Sequence, residues 1–165
     1  MAKKFSDFTN EATAGTTQVV GYKTGTTVNT RYSLAQLATG LKEHLPQSFI
    51  IACSDETTAL AAGTNKAIFR MPYAFTLTAV RASLTTAGTT SGLTTIDIHE
   101  SGTTILSTKI TIDLTEKTSV TAATQPVISD ASLADDAQIS IDLDAISGGA
   151  SETGLKVTLI GYPTP

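Results

Sequence analysis

The stretch Gln138-Ile139-Ser140-Ile141-Asp142-Leu143-Asp144 alternates polar with apolar side chains at every second position. Successive side chains of a β-strand point to opposite faces of its sheet, so this period of two predicts a strand with one face in a core and the other in water. Similar alternation recurs at 96–99, 110–114 and 155–160. Such repetition is typical of antiparallel sheets packed face to face.

The composition also favours an all-β fold. Threonine makes up about one residue in five, and its branched Cβ suits a pleated, half-buried surface. From Gln47 onward, strand-like segments follow one another at the spacing of about 8–12 residues that is typical of a sandwich or barrel. We count about eight strands and predict a jelly-roll-like antiparallel β-sandwich over residues 47–165, the β-domain.

The first 46 residues follow a different pattern and predict an N-terminal arm, so the chain divides into residues 1–46 and 47–165. Two strand-like segments, 18–22 and 27–32, flank the turn-forming sequence Lys23-Thr24-Gly25-Thr26 and predict a small hairpin. An isolated hairpin is only marginally stable in water, so it needs a surface to lie on.

Phe5 and Phe8 are aromatic residues in otherwise polar surroundings at the start of the arm. They either fill pockets on a partner or cap the protein's own β-domain. We expect the arm to attach the protein to a larger particle. The candidate attachment residues are Phe5, Phe8, Val19, Val20 and Tyr22.

A short amphipathic helix is predicted after the hairpin. Ser33 and Gln36 form a capping box at its start, and Pro46 ends it. Its apolar face, the leucine stripe, consists of Leu34, Leu37, Leu41 and Leu45. Because a helix of this length is not stable alone, the stripe must be buried on the β-domain, on other subunits or on a partner. We expect a homotrimer with the stripe facing the three-fold axis.

The net charge of −4 is unevenly distributed. Residues 1–46 carry five basic and three acidic side chains, a net +2, whereas residues 47–165 carry six basic and twelve acidic ones, a net −6. An acidic β-domain gives no electrostatic reason for binding nucleic acid, so we expect no nucleic-acid partner.

Cys53 is the only cysteine, so no intrachain disulfide can form, which fits folding in a reducing compartment. Its apolar neighbours predict a buried, inert thiol. No segment has the length of a membrane span, and the N-terminus lacks a signal-peptide core. We therefore expect assembly in the cytoplasm.

The sequence contains no catalytic signature, and we expect a protein that is not an enzyme and needs no cofactor or metal. No nucleophile elbow, zinc-protease motif or phosphate-binding glycine loop accompanies the two histidines, His44 and His99. Acidic pairs such as Asp135-Asp136 lack the spacing of a calcium-binding EF-hand loop. Single carboxylates at Asp97 and Asp142 are predicted on the solvent face, as charges that prevent promiscuous strand pairing.

A carbohydrate-binding module is the main alternative, because jelly rolls are often lectins. Sugar sites usually need an exposed Trp or Tyr ring on which a pyranose stacks. The chain has no Trp, and only Tyr73 and Tyr162 lie in the β-domain, which weakens this interpretation.

Three segments of the β-domain, 49–64, 69–75 and 128–137, resemble a β-domain of tailed-bacteriophage virion proteins. They include Phe69-Arg70-Met71-Pro72-Tyr73-Ala74-Phe75 and Ile128-Ser129-Asp130-Ala131-Ser132-Leu133. The resemblance covers about residues 47–162. Separately, the arm from Val19-Val20-Gly21-Tyr22 to Leu37 is similar to the short N-terminal module by which phage fibre proteins join the particle.

This resemblance implies a non-enzymatic accessory protein on the virion surface, a capsid decoration or head fibre. It implies as partners the major capsid protein or another virion protein, and it transfers no catalytic residues. The alternative is a tail fibre or receptor-binding protein whose β-sandwich binds a host-surface glycan.

Overall fold

The computed structural model describes residues 18–22, 29–34, 38, 40–41, 45–148 and 151–164. By its internal contacts the chain divides into two compact units, Met1–Leu41 and Lys42–Pro165. The boundary predicted from the sequence lies after Pro46.

The described residues of the first unit include two antiparallel strands, β1 (Gln18–Tyr22) and β2 (Asn29–Ser33). They pair in register from Gln18↔Ser33 to Tyr22↔Asn29. Within the predicted helix, residues 34, 38, 40 and 41 are helical, whereas residues 35–37, 39 and 42–44 lie outside the described residues. The arm as a hairpin followed by an amphipathic helix therefore stays a prediction.

The described part of the second unit is all-β, with eleven strands. They are β3 (Gln47–Ala52), β4 (Gly63–Arg70), β5 (Phe75–Ser83), β6 (Thr94–Glu100), β7 (Thr103–Thr104), β8 (Leu106–Thr108), β9 (Ile110–Ile112), β10 (Val127–Ile128), β11 (Ser132–Leu133), β12 (Gln138–Ala145) and β13 (Lys156–Pro163). The sequence predicts about eight strands. The count differs because β10 and β11 have only two residues each, too few for alternation to be recognised, and because residues 103–108 form two short strands, β7 and β8, where one is predicted.

The longer strands form two antiparallel sheets. Sheet 1 has the order β11-β5-β13-β3. Sheet 2 has the order β4-β12-β6-β7, and β9 also pairs with β6. Strands β8 and β10 form a separate two-stranded pair. Apart from β6 with β7 and β9, neighbouring strands in both sheets are far apart in sequence, as in the pairing of β3 with β13.

The two sheets share one hydrophobic core, built from the alternating apolar positions. In β12 every second residue is buried, so Ile139, Ile141 and Leu143 have no exposed surface. Strand β13 contributes Val157 and Leu159 in the same way. The period of two that predicts these strands is therefore confirmed, and the predicted face of each is the buried one.

Aromatic packing closes the core near the start of β5. Phe75 is fully buried, and its ring meets that of Phe49 edge-to-face at 5.2 Å between centroids. Tyr73 packs against Phe49 at 5.9 Å, and its hydroxyl donates to Gln47 Oε1 at 2.6 Å. Tyr73 therefore packs on the core, and its hydroxyl forms a hydrogen bond with Gln47 of β3.

In the described ranges of the chain, no helix is both long enough and apolar enough to cross a bilayer.

Truncating the core should cost far more stability than truncating an exposed residue of the same sheet. Leu143→Ala leaves a cavity between the sheets and should lower the free energy of unfolding by about 2–5 kcal/mol. Ile68→Ala, at a side chain 53% exposed on β4, should change it by about 0.5 kcal/mol or less. Urea unfolding followed by circular dichroism measures both, and equal losses would contradict this description of the core.

Candidate functional site

The predicted attachment residues fall mainly outside what the structure describes. Phe5 and Phe8 lie outside the described residues, and Val19, Val20 and Tyr22 lie on β1, where no side chain is described. Their role in attachment stays a prediction.

Three of the four members of the leucine stripe lie among the described residues. Leu37 lies outside the described residues, whereas the other three members are exposed by about half or more. The exposed fractions are 49% for Leu34, 51% for Leu41 and 60% for Leu45. These three side chains are therefore exposed apolar groups, each of which is available to another subunit or to a partner.

A cluster of charged side chains lies on the outer face of sheet 2. Asp97 on β6 and Asp142 on β12 are directly opposite each other in the ladder. Two like charges in this position destabilise a sheet unless other groups compensate them. We call the five residues that meet here the charged cluster: Asp97, His99, Lys109, Asp142 and Asp144.

Lys109 supplies the main compensation. Its Nζ lies 3.1 Å from Asp97 Oδ2 and 2.5 Å from Asp144 Oδ2, so one ammonium joins the two carboxylates. Hydrogen bonds to Asp144 first, and then to Asp97, raise the pKa of Lys109 above its ordinary value. Lys109 precedes β9, so this contact ties the connection between β8 and β9 to the face of β6 and β12.

Asp97 is only 3% exposed, which corrects the sequence-based prediction that it lies in solvent. Burial alone would raise its pKa. Hydrogen bonds from the Thr104 hydroxyl at 2.6 Å, from Lys109 and from the Ile98 amide at 2.8 Å outweigh burial, so the pKa of Asp97 is lowered. Asp97 is therefore a bonded structural carboxylate on a strand that is paired along both edges, not a charge that blocks pairing.

His99 lies between the two opposed carboxylates. Its Nε2 is 3.7 Å from Asp97 Oδ2, and its Nδ1 is 3.7 Å from Asp142 Oδ2. Both distances exceed hydrogen-bond length, and within the described part of the chain Nδ1 has no hydrogen-bond partner. Asp142 instead accepts a hydrogen bond at its Oδ1 from the backbone N–H of Asn65, at 2.7 Å.

A second polar site lies inside the β-domain, around Glu152. This side chain is 2% exposed, and it accepts hydrogen bonds from the Thr94 hydroxyl and, at 3.3 Å, from the Ser147 amide. A Cβ at residue 88 would collide with Ser147 Oγ, so Gly88 is needed for the backbone to pass this close. The sequence offers no signal for this site, because its parts lie far apart along the chain.

An open groove runs along β5 on sheet 1. Its volume is about 440 Å³, and residues 78–81 of β5 form one wall while residues 119–120 and 125–128 form the other. Val120 and Val127 are both more than half exposed at this groove. None of the residues lining it is aromatic, so it lacks the ring on which a sugar would stack.

These sites offer little chemistry beyond binding and support. Cys53 is buried, and burial raises the pKa of its thiol to about 11, so the predicted buried thiol is confirmed. Among the described residues, no group of three or more His, Cys, Asp or Glu side chains is arranged to hold a metal ion.

No family model, curated protein or solved structure matches the chain. Function is therefore inferred from the arrangement of its own residues.

Neutralising Asp97 should make the fold less sensitive to acid. Because its pKa in the folded protein lies below the ordinary value of 3.8, its charge stabilises the fold at neutral pH, and this contribution is lost as the pH falls below about 4. Asp97→Asn should lower the free energy of unfolding by about 1–3 kcal/mol at pH 7, and the deficit should shrink at pH 3.

Asp135→Asn, at an exposed carboxylate, is the matched control and should have little effect at either pH. Urea unfolding at the two pH values measures the difference. A deficit that does not change with pH would show that the charge of Asp97 is not what stabilises the cluster.

Proposed function

We propose that this chain is a non-enzymatic structural protein of a bacteriophage virion. In this proposal it is a trimeric fibre or decoration protein on the capsid, with a jelly-roll β-domain and an N-terminal arm that anchors it to the major capsid protein or another virion protein. It assembles in the host cytoplasm and then lies on the virion surface.

The observation that carries the proposal is the pairing order of the main strands. Strands β8 and β10 form a separate pair, and β7 is a two-residue strand that pairs with β6 beside β9. When these three are set aside, eight strands remain, including the short β9 and β11. The first pairs with the last, the second with the seventh, the third with the sixth and the fourth with the fifth. These pairs are β3–β13, β4–β12, β5–β11 and β6–β9. A jelly roll has this nested order, and the architecture recurs in viral capsid proteins and lectins.

Because a fold alone does not determine function, the proposed structural role also needs support from surface residues. The polar side chains described above are used to hold strands and loops together, as Lys109 does between Asp97 and Asp144. The exposed leucines leave an apolar surface that a monomer would not bury. Both features favour a module that is built to assemble, in agreement with the resemblance to phage virion proteins.

The groove along β5 favours a second candidate function, that of a tail fibre or receptor-binding protein. An open cleft of about 440 Å³ at Thr78–Arg81 is large enough to hold one or two sugar rings. The lack of an aromatic ring in its lining makes this function the weaker of the two.

Labelling of virus particles tests the capsid assignment. Immunogold directed against the β-domain should decorate the capsid at many positions, because a decoration protein is present in many copies. Label confined to the tail would overturn the capsid assignment and, together with glycan binding, would favour the receptor-binding alternative. Particles without label would contradict both.

Disrupting the leucine stripe should dissociate the trimer. Burying each leucine fully is worth about 1.5–3 kcal/mol, and Leu37→Asp would replace that gain with a buried charge on the three-fold axis. Sedimentation should show a trimer for the wild type and a monomer for Leu37→Asp, with an unchanged β-sheet circular dichroism spectrum. Gln36→Asp, on the opposite face of the predicted helix, should remain trimeric. A monomeric wild type at micromolar concentration would exclude the trimer.

A further inference from the structure

Strand β3 forms an open edge of sheet 1. Within the described ranges it pairs only with β13, through six consecutive residue pairs from Gln47↔Gly161 to Ala52↔Lys156 without a bulge. A regular edge strand presents a row of backbone donors and acceptors that another β-strand can bond. The partner that such an edge binds is therefore another β-strand.

The other edges of sheets 1 and 2 are protected in ways that β3 is not. Strands β11, β7 and β9 have only two or three residues each. Strand β4 carries Lys66 and Arg70, and its ladder with β12 contains a register shift. Short strands, charges and bulges are the usual devices that prevent pairing at an edge. Among the edge strands of sheets 1 and 2, β3 alone is long and has none of these features.

The side chains of β3 are also unusually apolar for an exposed edge. Ile50 is 69% exposed, the largest exposed fraction among the large apolar side chains described. On the core side, Phe49 and Ile51 are only partly buried. A strand added beyond β3 would cover Ile50 on one face, and Phe49 and Ile51 on the other.

Charge indicates which strand fits. The β-domain carries a net −6, so two copies repel each other over most of their surfaces. Residues 47–54 contain no charged side chain, so copies that meet through β3 bring no like charges together in the paired strands. Because the edge is uncharged, it offers no electrostatic attraction to an acidic or a basic partner strand.

The sequence of β3 is self-complementary in the antiparallel sense. When two copies pair about a two-fold axis through Ile50, each Ile50 lies opposite its symmetry mate. Phe49 then lies opposite Ile51, and Ser48 lies opposite Ala52. Every cross-strand pair therefore joins uncharged side chains of compatible size, and cross-strand pairs of this kind stabilise a sheet.

We propose that β3 is a homotypic contact, through which two copies of this chain join their four-stranded sheets into one eight-stranded sheet about a two-fold axis. The contact uses the same surface on both copies and therefore closes on itself. It does not depend on the proposed trimer. In a trimeric protein it joins each subunit to a subunit of another trimer, and in a monomeric one it forms a dimer.

Cysteine cross-linking of the full-length protein tests this geometry. Directly opposed residues in an antiparallel pair have Cβ atoms about 4.5–5.5 Å apart, which is close enough for a disulfide after a small adjustment. Ile50→Cys should therefore form a covalent dimer under mild oxidation. It should do so about tenfold or more faster than Ile68→Cys, the control on the protected edge strand β4. Buried Cys53 is present in both variants and does not affect the comparison.

A mixing experiment checks the register. Ser48→Cys and Ala52→Cys should each cross-link poorly alone, because the two-fold axis leaves identical cysteines about 13 Å apart along the strands. An equimolar mixture of the two should form the mixed disulfide efficiently. Cross-linking of Ile50→Cys no faster than of Ile68→Cys, or a mixture no better than its components, would overturn the two-fold contact.

A charge substitution provides a test without cysteine. Ile50→Lys places two like charges opposite each other, and should reduce the mass of the assembly measured by sedimentation to that of the separate trimer or monomer. Ile68→Lys should leave the mass unchanged. An Ile50→Lys protein that retains the wild-type mass would contradict the contact. The trimer is tested separately by Leu37→Asp, so failure of one contact can be told from failure of the other.

Discussion

The burial of one aliphatic face from each sheet is the interaction on which the rest of the structure depends. Ile96 and Ile98 of sheet 2, and Val157 and Leu159 of sheet 1, have essentially no exposed surface. Each such side chain contributes about 1.5–3 kcal/mol when it leaves water, which is large against the net stability of a small domain. The short strands, the loops and the polar clusters are all positioned by these two sheets.

The outer face of sheet 2 shows how a sheet can tolerate opposed carboxylates. Asp97 and Asp142 face each other in a position that like charges destabilise, yet Asp97 is buried and hydrogen-bonded. The ammonium of Lys109 and the hydroxyl of Thr104 provide the compensation. Because burial strengthens such electrostatic interactions, the cluster also fixes the position of the connection between β8 and β9.

The two proposed assembly surfaces have different physical characters. The leucine stripe offers side-chain burial without backbone pairing, and its partner must supply a matching apolar surface. The β3 edge offers backbone hydrogen bonds, so its partner must be a strand in the correct register. The two proposals can therefore be tested independently, because side-chain burial and backbone pairing are disrupted by different substitutions.

The sequence by itself determined the all-β class of the β-domain and the inward faces of β12 and β13, because the period of two is a local property that Ile139, Ile141 and Leu143 express directly. It also indicated the buried thiol of Cys53 through its apolar neighbours. Only the tertiary structure decided which strands pair, since β3 meets β13 across most of the β-domain and no local pattern encodes that partner. The burial of Asp97 and Glu152 was not predictable either, because the groups that bond them, Lys109 and Thr94, lie on other segments and meet the carboxylates only after folding.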